Sequence, residues 1–310
     1  RLRDNPALRM AADDFERVVP VFVWSPRHER DAALGGASRV WLHFSLLELA
    51  ERIRTFDGRL CVQSGDPRDV LPKLAENVGA QAVFWNRRYE PALTALDAEV
   101  KSLLSDSGLD ARSFKANLLY EPWEVTTNDG SPYKVFTPYW KSAQAATKPD
   151  QPLPEVRKIA TPTVAPKGVA IDALELLPKI SWDEGIRAAW SPGELGARRR
   201  LREFLDGAIR QYSKKRDFPA EDLVSPHLHF GEISPRQILY EIQESGVGGD
   251  GPETFIREIG WREFGHHVLY NFPQTVEQPL QPKFNGFRWR TSKKNLKAWQ
   301  RGRTGYPIVD

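Results

Sequence analysis

The hydrophobic pattern changes period along this chain, and the changes divide it into parts. Val18-Val19-Pro20-Val21-Phe22-Val23-Trp24 is a continuous apolar run of strand length, whereas from Ser38 to Phe56 the apolar positions Trp41, Phe44, Leu47, Leu49 and Ile53 follow a helical repeat. Leu60-Cys61-Val62 predicts a second short strand and Pro67 to Val78 a helix, with Asp66 as N-cap and Pro67 at the first helical position. Ala82-Val83-Phe84-Trp85, a helix from about Ala92 to Leu104, and a last strand from Ser113 to Tyr120 complete the series. Strand alternating with helix implies a parallel sheet with helices packed on both faces, and such sheets bind ligands beyond the carboxyl ends of their strands. No glycine fingerprint for a dinucleotide accompanies them.

The alternation then stops. From Ser131 to Pro192 there are nine prolines and few periodic apolar runs. Proline removes backbone donors, so this segment predicts an extended connection without a long helix or a central strand. Glu194 to Tyr212, Pro235 to Ser245 and Pro252 to Tyr270 are again helical, so the second half is predominantly α. Ser225-Pro226 and Ser234-Pro235-Arg236-Gln237 look like helix starts, the latter with Gln237 placed for a capping box. Free N–H groups at a helix start bind anions, and Ser225 adds a hydroxyl. The boundaries expected are 1–125 for the α/β domain, 126–190 for the connection and 191–310 for an incomplete helical domain.

With 310 residues, 40% of them hydrophobic and 27% charged, the composition is that of a globular protein with sizeable cores. No apolar run is long enough to span a bilayer, the first residues lack the apolar core of a signal peptide, and the single Cys61 suits a reducing compartment; a cytoplasmic location is expected. The chain lacks an initial Met and stops at Tyr306-Pro307-Ile308-Val309-Asp310, so it reads as a fragment. His227 and His229, two apart, are poorly spaced for ligation from one helical face, and no metal site is expected.

Net charge is +3, but residues 191 to 310 hold 19 Lys and Arg against 15 Asp and Glu, while residues 1 to 190 hold 25 against 26. Lys283 to Arg303 contains eight basic residues and no acidic one, interleaved with Phe284, Phe287, Trp289 and Trp299. Cations that neutralise phosphates and rings that stack on bases suit nucleic acid; a solvated basic face around packing aromatics is the plainer alternative. In Glu258-Ile259-Gly260-Trp261-Arg262-Glu263-Phe264, residues Glu258, Trp261, Arg262 and Gly265 fall at i, i+3, i+4 and i+7, on one helical face. An acid, an indole and a guanidinium side by side suit a nucleotide-like ligand. The plainer reading is an interior Trp beside a solvated Glu–Arg pair.

Four stretches together resemble the DNA photolyases and cryptochromes: Arg1-Leu2-Arg3-Asp4-Asn5-Pro6-Ala7-Leu8, the run from Ser225-Pro226-His227 to Ser234-Pro235-Arg236, Trp261-Arg262-Glu263-Phe264, and Gly305-Tyr306-Pro307-Ile308-Val309-Asp310. They occur in the family's order over essentially the whole chain. The resemblance implies a Rossmann-like α/β antenna domain followed by a mostly α-helical C-terminal flavin-binding domain, here truncated. It further implies a monomeric enzyme, located with bacterial DNA, that uses FAD and blue light to repair cyclobutane pyrimidine dimers in UV-damaged DNA. By motif position Tyr212, Ser225 and Arg262 resemble flavin-site residues, Glu258 the acid that hydrogen-bonds the flipped dimer, and Trp261 the indole packed against it. Trp289 resembles the outermost tryptophan that photoreduces the flavin, and Lys293 and Lys294 fall in the expected DNA-binding stretch. Plant-type cryptochromes commonly carry a smaller aliphatic residue at the position of Trp261, which favours repair over a photoreceptor without repair activity. A nucleotide-binding α/β protein whose helical part binds a partner is the third reading.

Two features depart from the family pattern. The interval from Tyr212 to Ser225 is about three residues shorter than usual, and Glu221-Asp222-Leu223-Val224 replaces the Thr-Ser pair of the phosphate cradle; acids there repel a pyrophosphate unless turned away. The residues that hold folate in some bacterial members would fall at Ala92, Leu93 and Glu277-Gln278, so that folate site is absent, and folate in another mode or a deazaflavin is left as the antenna chromophore.

Overall fold

The structure, a computed structural model, describes residues 1–26, 33–146, 149–162, 166–218, 224–288 and 290–310. These form two compact units, Arg1–Pro273 and Gln274–Asp310.

The first unit opens with a helix that the apolar pattern did not announce, α1 (Pro6–Asp14), although its start is written in the sequence. Asn5 accepts a hydrogen bond from Leu8 N, and Pro6 occupies the first helical position. The strands are β1 (Val21–Trp24), β2 (Cys61–Ser64), β3 (Ala82–Asn86) and β4 (Asp110–Phe114). Between them lie α2 (Gly36–Arg54), α3 (Pro67–Val78) and α4 (Pro91–Asp106). β1 pairs with β2 in parallel, Val21 opposite Cys61, and β3 pairs with β4 in parallel, Ala82 opposite Asp110. Among the described residues these are two separate two-stranded ladders. Periodicity defines each crossover unit but carries no signal for how the units join. α3 is as expected: Asp66 accepts from Arg68 N, Pro67 begins the helix, and Gly79 ends it in the left-handed region at φ 62°.

β4 begins and ends earlier than the expected Ser113–Tyr120. Beyond Phe114 the backbone is taken by distant side chains. Arg1 donates to Ala116 O, Arg262 donates to Asn117 O, and Glu263 accepts from Leu119 N and Tyr120 N. Polar groups with such partners have no need of a ladder.

The proline-rich segment also differs from expectation, since it contains α5 (Phe136–Ala146), eleven residues long. Pro138 lies in the first turn, where a missing N–H breaks no helical bond. Phe136, Tyr139 and Ala143 join Leu119, Tyr120, Leu201, Phe204, Ile209, Phe255 and Ile259 in the largest core cluster, so this helix is part of the helical core.

α6 (Glu184–Ala189), which buries no residue, is followed by the helices that complete that core, α7 (Glu194–Asp206), α8 (Tyr212–Lys215), α9 (Ser225–His229), α10 (Pro235–Glu244) and α11 (Asp250–Asn271). The expected helix from Glu194 to Tyr212 breaks at Gly207, passes through a 3₁₀ turn at Ala208–Gln211 and resumes as α8. The turn presses on α11: a Cβ on Gly251 would lie 2.0 Å from Ile209 O. α10 carries the expected capping box between Ser234 and Gln237. α9 starts one residue off expectation, with Val224 at the cap position and Ser225 already helical. The second unit contains α12 (Lys293–Gln300), capped by Ser292, which accepts from Asn295 N.

Buried polar side chains join the helical core to the N-terminal residues. Asp4 is fully buried; it accepts from Leu153 N and from Arg236 Nε, pairs with Arg236 Nη2 at 2.8 Å, and takes a short bond from Ser234. Arg1 reaches Asn117 Oδ1 and Gly231 O. Glu263 is 1% exposed, and burial pushes its carboxyl up to about 7 against the opposing pull of Arg262 and two backbone donors. A carboxyl whose folded pKa lies above the ordinary value contributes stability at acid pH that is lost as pH rises through about 7. Glu263→Gln imitates the protonated form. It is expected to gain stability relative to the parent between about pH 5 and about pH 8; thermal unfolding of both proteins at the two pH values checks this, and a constant difference would contradict it.

Candidate functional site

α11 is amphipathic in an uneven way. Phe255 and Ile259 face the core, and Gly260 lets the helix approach α5 so closely that a Cβ there would stand 2.8 Å from the Trp140 ring. The other side carries Arg257, Glu258 and Trp261. α8 packs against this side after the Gly207 break, and with the turn that follows it brings Tyr212, Arg216 and Asp217 opposite them. Together these six residues line an open cleft of about 650 Å³.

Of the residues expected at a site, Tyr212, Glu258 and Trp261 are therefore assembled in one place. Tyr212 is a wall residue with its ring edge-on to Phe204 and Phe255 at 5.6 and 5.1 Å. Glu258 makes a short ion pair with Arg216. Trp261 is 49% exposed, and one face of its indole is stacked on Phe136 at 3.7 Å with 12° between planes. This is neither an interior Trp nor a solvated Glu258–Arg262 pair.

Arg262 does not line the cleft. Its Nη1 donates to Asn117 O at 2.9 Å and to Glu263 at 3.1 Å. The helical repeat explains the split, because Trp261 and Arg262 are about 100° apart on the helix and flank the face on opposite sides. Ser225 is exposed at the start of α9 and is not among the cleft residues. α9 itself is held by His227, which is fully buried and bonded through Nδ1 to Glu232, a carboxylate that also accepts from Trp41 Nε1 and Gly193 N. His266 is driven down to about 4, chiefly by burial and then by Arg262, and is neutral near pH 7. Lys293 and Lys294 are exposed in the first turn of α12, in the unit that also exposes Phe284, Phe287 and Trp299. Trp289, Glu221, Asp222 and Leu223 lie outside the described residues.

Sequence reasoning missed Arg216, Asp217, Arg257 and Phe136. Arg216 follows Tyr212 by one helical turn, so its place beside the tyrosine was available from spacing alone. Phe136 comes from the proline-rich segment and had no local signal. The assembled cleft offers one free indole face, two guanidiniums and two carboxylates, a set suited to a flat hydrogen-bonding ring attached to phosphate.

A family model described as DNA photolyase matches residues 1–158, and one described as the FAD binding domain of DNA photolyase matches residues 255–310. The whole chain is 40% identical to a deoxyribodipyrimidine photo-lyase of Agrobacterium fabrum, of which it covers 65%. It is 35% identical to cryptochrome-1 of Arabidopsis thaliana, covering 47% of that protein. A bacterial class III photolyase from Agrobacterium tumefaciens has the same fold with a TM-score of 0.93 at 40% identity, over all of this chain and 65% of the other. The chain thus spans between about half and two thirds of the length of these relatives. With a family model matching just over half of its residues and a second matching its C-terminal part, the chain belongs to the DNA photolyase family.

Proposed function

We propose that the complete protein repairs cyclobutane pyrimidine dimers in DNA, using light and reduced FAD. The observation that carries this reading is the pairing of Glu258 with a one-sided, half-exposed Trp261 in the same cleft. A dimer stacks and pairs poorly in the duplex, so extruding it costs only part of the few kcal/mol that flipping a normal nucleotide requires. Trp261 gives the extruded lesion an apolar plane and excludes water from it. Glu258 accepts hydrogen bonds from the pyrimidine ring, and its ion pair with Arg216 keeps the carboxylate aimed across the cleft.

The donor types present fit FAD: the Tyr212 and Ser225 hydroxyls are of the kind that bond phosphate or ribose, and Arg262, whose Nη1 is already engaged by Asn117 and Glu263, would act on the cofactor through its fixed charge. Reduced flavin, when bound, would supply the electron on absorbing blue light. Trp289 would be the outer relay for flavin photoreduction, and folate held in another mode, or a deazaflavin, the antenna pigment. The protein is taken to act as a monomer on UV-damaged DNA in the cytoplasm; among the described residues no helix is long and apolar enough to cross a membrane.

The likeness to a plant cryptochrome supports a second reading, a blue-light photoreceptor without repair. Illuminating the full-length, flavin-loaded protein with UV-irradiated oligonucleotide separates the two. Light-dependent loss of dimers, absent in the dark, is expected; a bound flavin with no loss of dimers would favour the photoreceptor.

Trp261→Ala is expected to weaken binding of dimer-containing oligonucleotide by about 1–3 kcal/mol while flavin absorbance is retained. Glu258→Gln should change affinity less and instead lower the number of dimers repaired per absorbed photon, because a carboxyl at this position can exchange a proton with the lesion once it carries negative charge and an amide cannot. Reversing two cations, Lys293→Glu with Lys294→Glu, should weaken damaged and undamaged DNA alike and flatten the dependence of log affinity on log salt. An effect confined to damaged DNA would assign α12 to lesion reading instead.

A further inference from the structure

Trp261 is half exposed, yet its ring is not free. One face lies parallel to Phe136 at 3.7 Å, and Phe136 in turn lies parallel to Trp140 at 6.3 Å with 11° between planes. The Phe264 ring stands edge-on to both Phe136 and Trp261, at 5.9 and 6.0 Å. Phe136 is only 8% exposed. It is fixed on α5, which is anchored by the buried Tyr139 and Ala143 and pressed against α11 at Gly260. The indole is therefore the outermost layer of a stack that starts in the core.

We infer that Phe136 is a positioning residue for lesion binding: it covers one face of Trp261 and fixes the ring at the cleft, where its exposed part can meet a partner. This rests on the proposed reading of Trp261 as the ring that meets the extruded dimer. An exposed tryptophan on a helix would have to surrender rotamer freedom each time it stacked. Here the ordering is completed when the core folds. The arrangement also limits what can bind. With one indole face covered by Phe136, the cleft takes a ligand that packs on one side of the ring only.

The test is a double-mutant cycle in the full-length protein, reading equilibrium binding to an oligonucleotide with one cyclobutane thymine dimer and to the undamaged oligonucleotide. Phe136→Leu is expected to weaken the damaged complex about fivefold, the equivalent of an aromatic pair worth ~1 kcal/mol. It should leave undamaged DNA and flavin content unchanged, and should cause no further loss in a Trp261→Ala background. Phe136→Tyr, which keeps the ring, should restore parental affinity. If Phe136→Leu does not fold, Phe136→Met fills the same space without a ring and takes its place. Additive losses in the double mutant, equal losses on both oligonucleotides, or no loss at all would overturn the inference. Parental affinity in Trp261→Ala would instead remove the reading of the site on which it rests.

Discussion

The Glu263 carboxylate is the interaction on which the rest of the helical part depends. It is buried between α11 and the segment leaving β4, and it receives Leu119 N, Tyr120 N and the Arg262 guanidinium. Removing it would leave two buried backbone donors unpaired, each costing about 1–3 kcal/mol, and would isolate part of the charge of Arg262. The two residues whose backbones it holds contribute their own side chains to the core that also contains Phe136, Phe255 and Ile259. The helix that carries Glu258 and Trp261 is thus set in place by a residue two positions beyond the tryptophan, on the far side of the same helix.

This separation of tasks explains the chemistry of the cleft. Its lining contains two arginines, Arg216 and Arg257, and two acids, Asp217 and Glu258. Their formal charges cancel, so the cleft does not gather polyanions by charge alone. The uneven positive charge of the chain lies instead in Lys283–Arg303, with its eight cations and no acid.

Local signals made much of this legible in advance. Asp66-Pro67 with Gly79 delimits α3, Ser234 with Gln237 starts α10, and Asn5-Pro6 marks the start of α1. The helical repeat brought Glu258 and Trp261 together, as observed. What was not legible depended on distant partners. β4 stops where Arg1, Arg262 and Glu263 claim the backbone, α5 forms because a large core accepts its apolar side, and the break at Gly207 fits α8 across α11. The family stretches are informative for a similar reason. Asp4 meets Ser234 and Arg236, Arg1 meets Gly231, and Glu232 gathers His227 and Trp41. Much of the signature records how the parts are joined rather than what they do to a substrate.

The bond between Asp4 and Ser234 closes a loop of 230 residues, and this has a consequence for the order in which the protein can be made. On a ribosome adding roughly 5–20 residues per second, Asp4 emerges on the order of ten to fifty seconds before Ser234 and Arg236 exist. During that time its carboxylate lacks the Ser234 and Arg236 partners that satisfy it in the interior, and burying it without them is costly. The α/β part can assemble its crossover units while it waits, but the surface destined to meet α10 cannot close. Such late, long-range closure slows folding and leaves apolar surface open in the nascent chain. Final locking of the N-terminal part is thus a post-synthetic event for that part, timed by the arrival of the helical residues rather than by its own sequence.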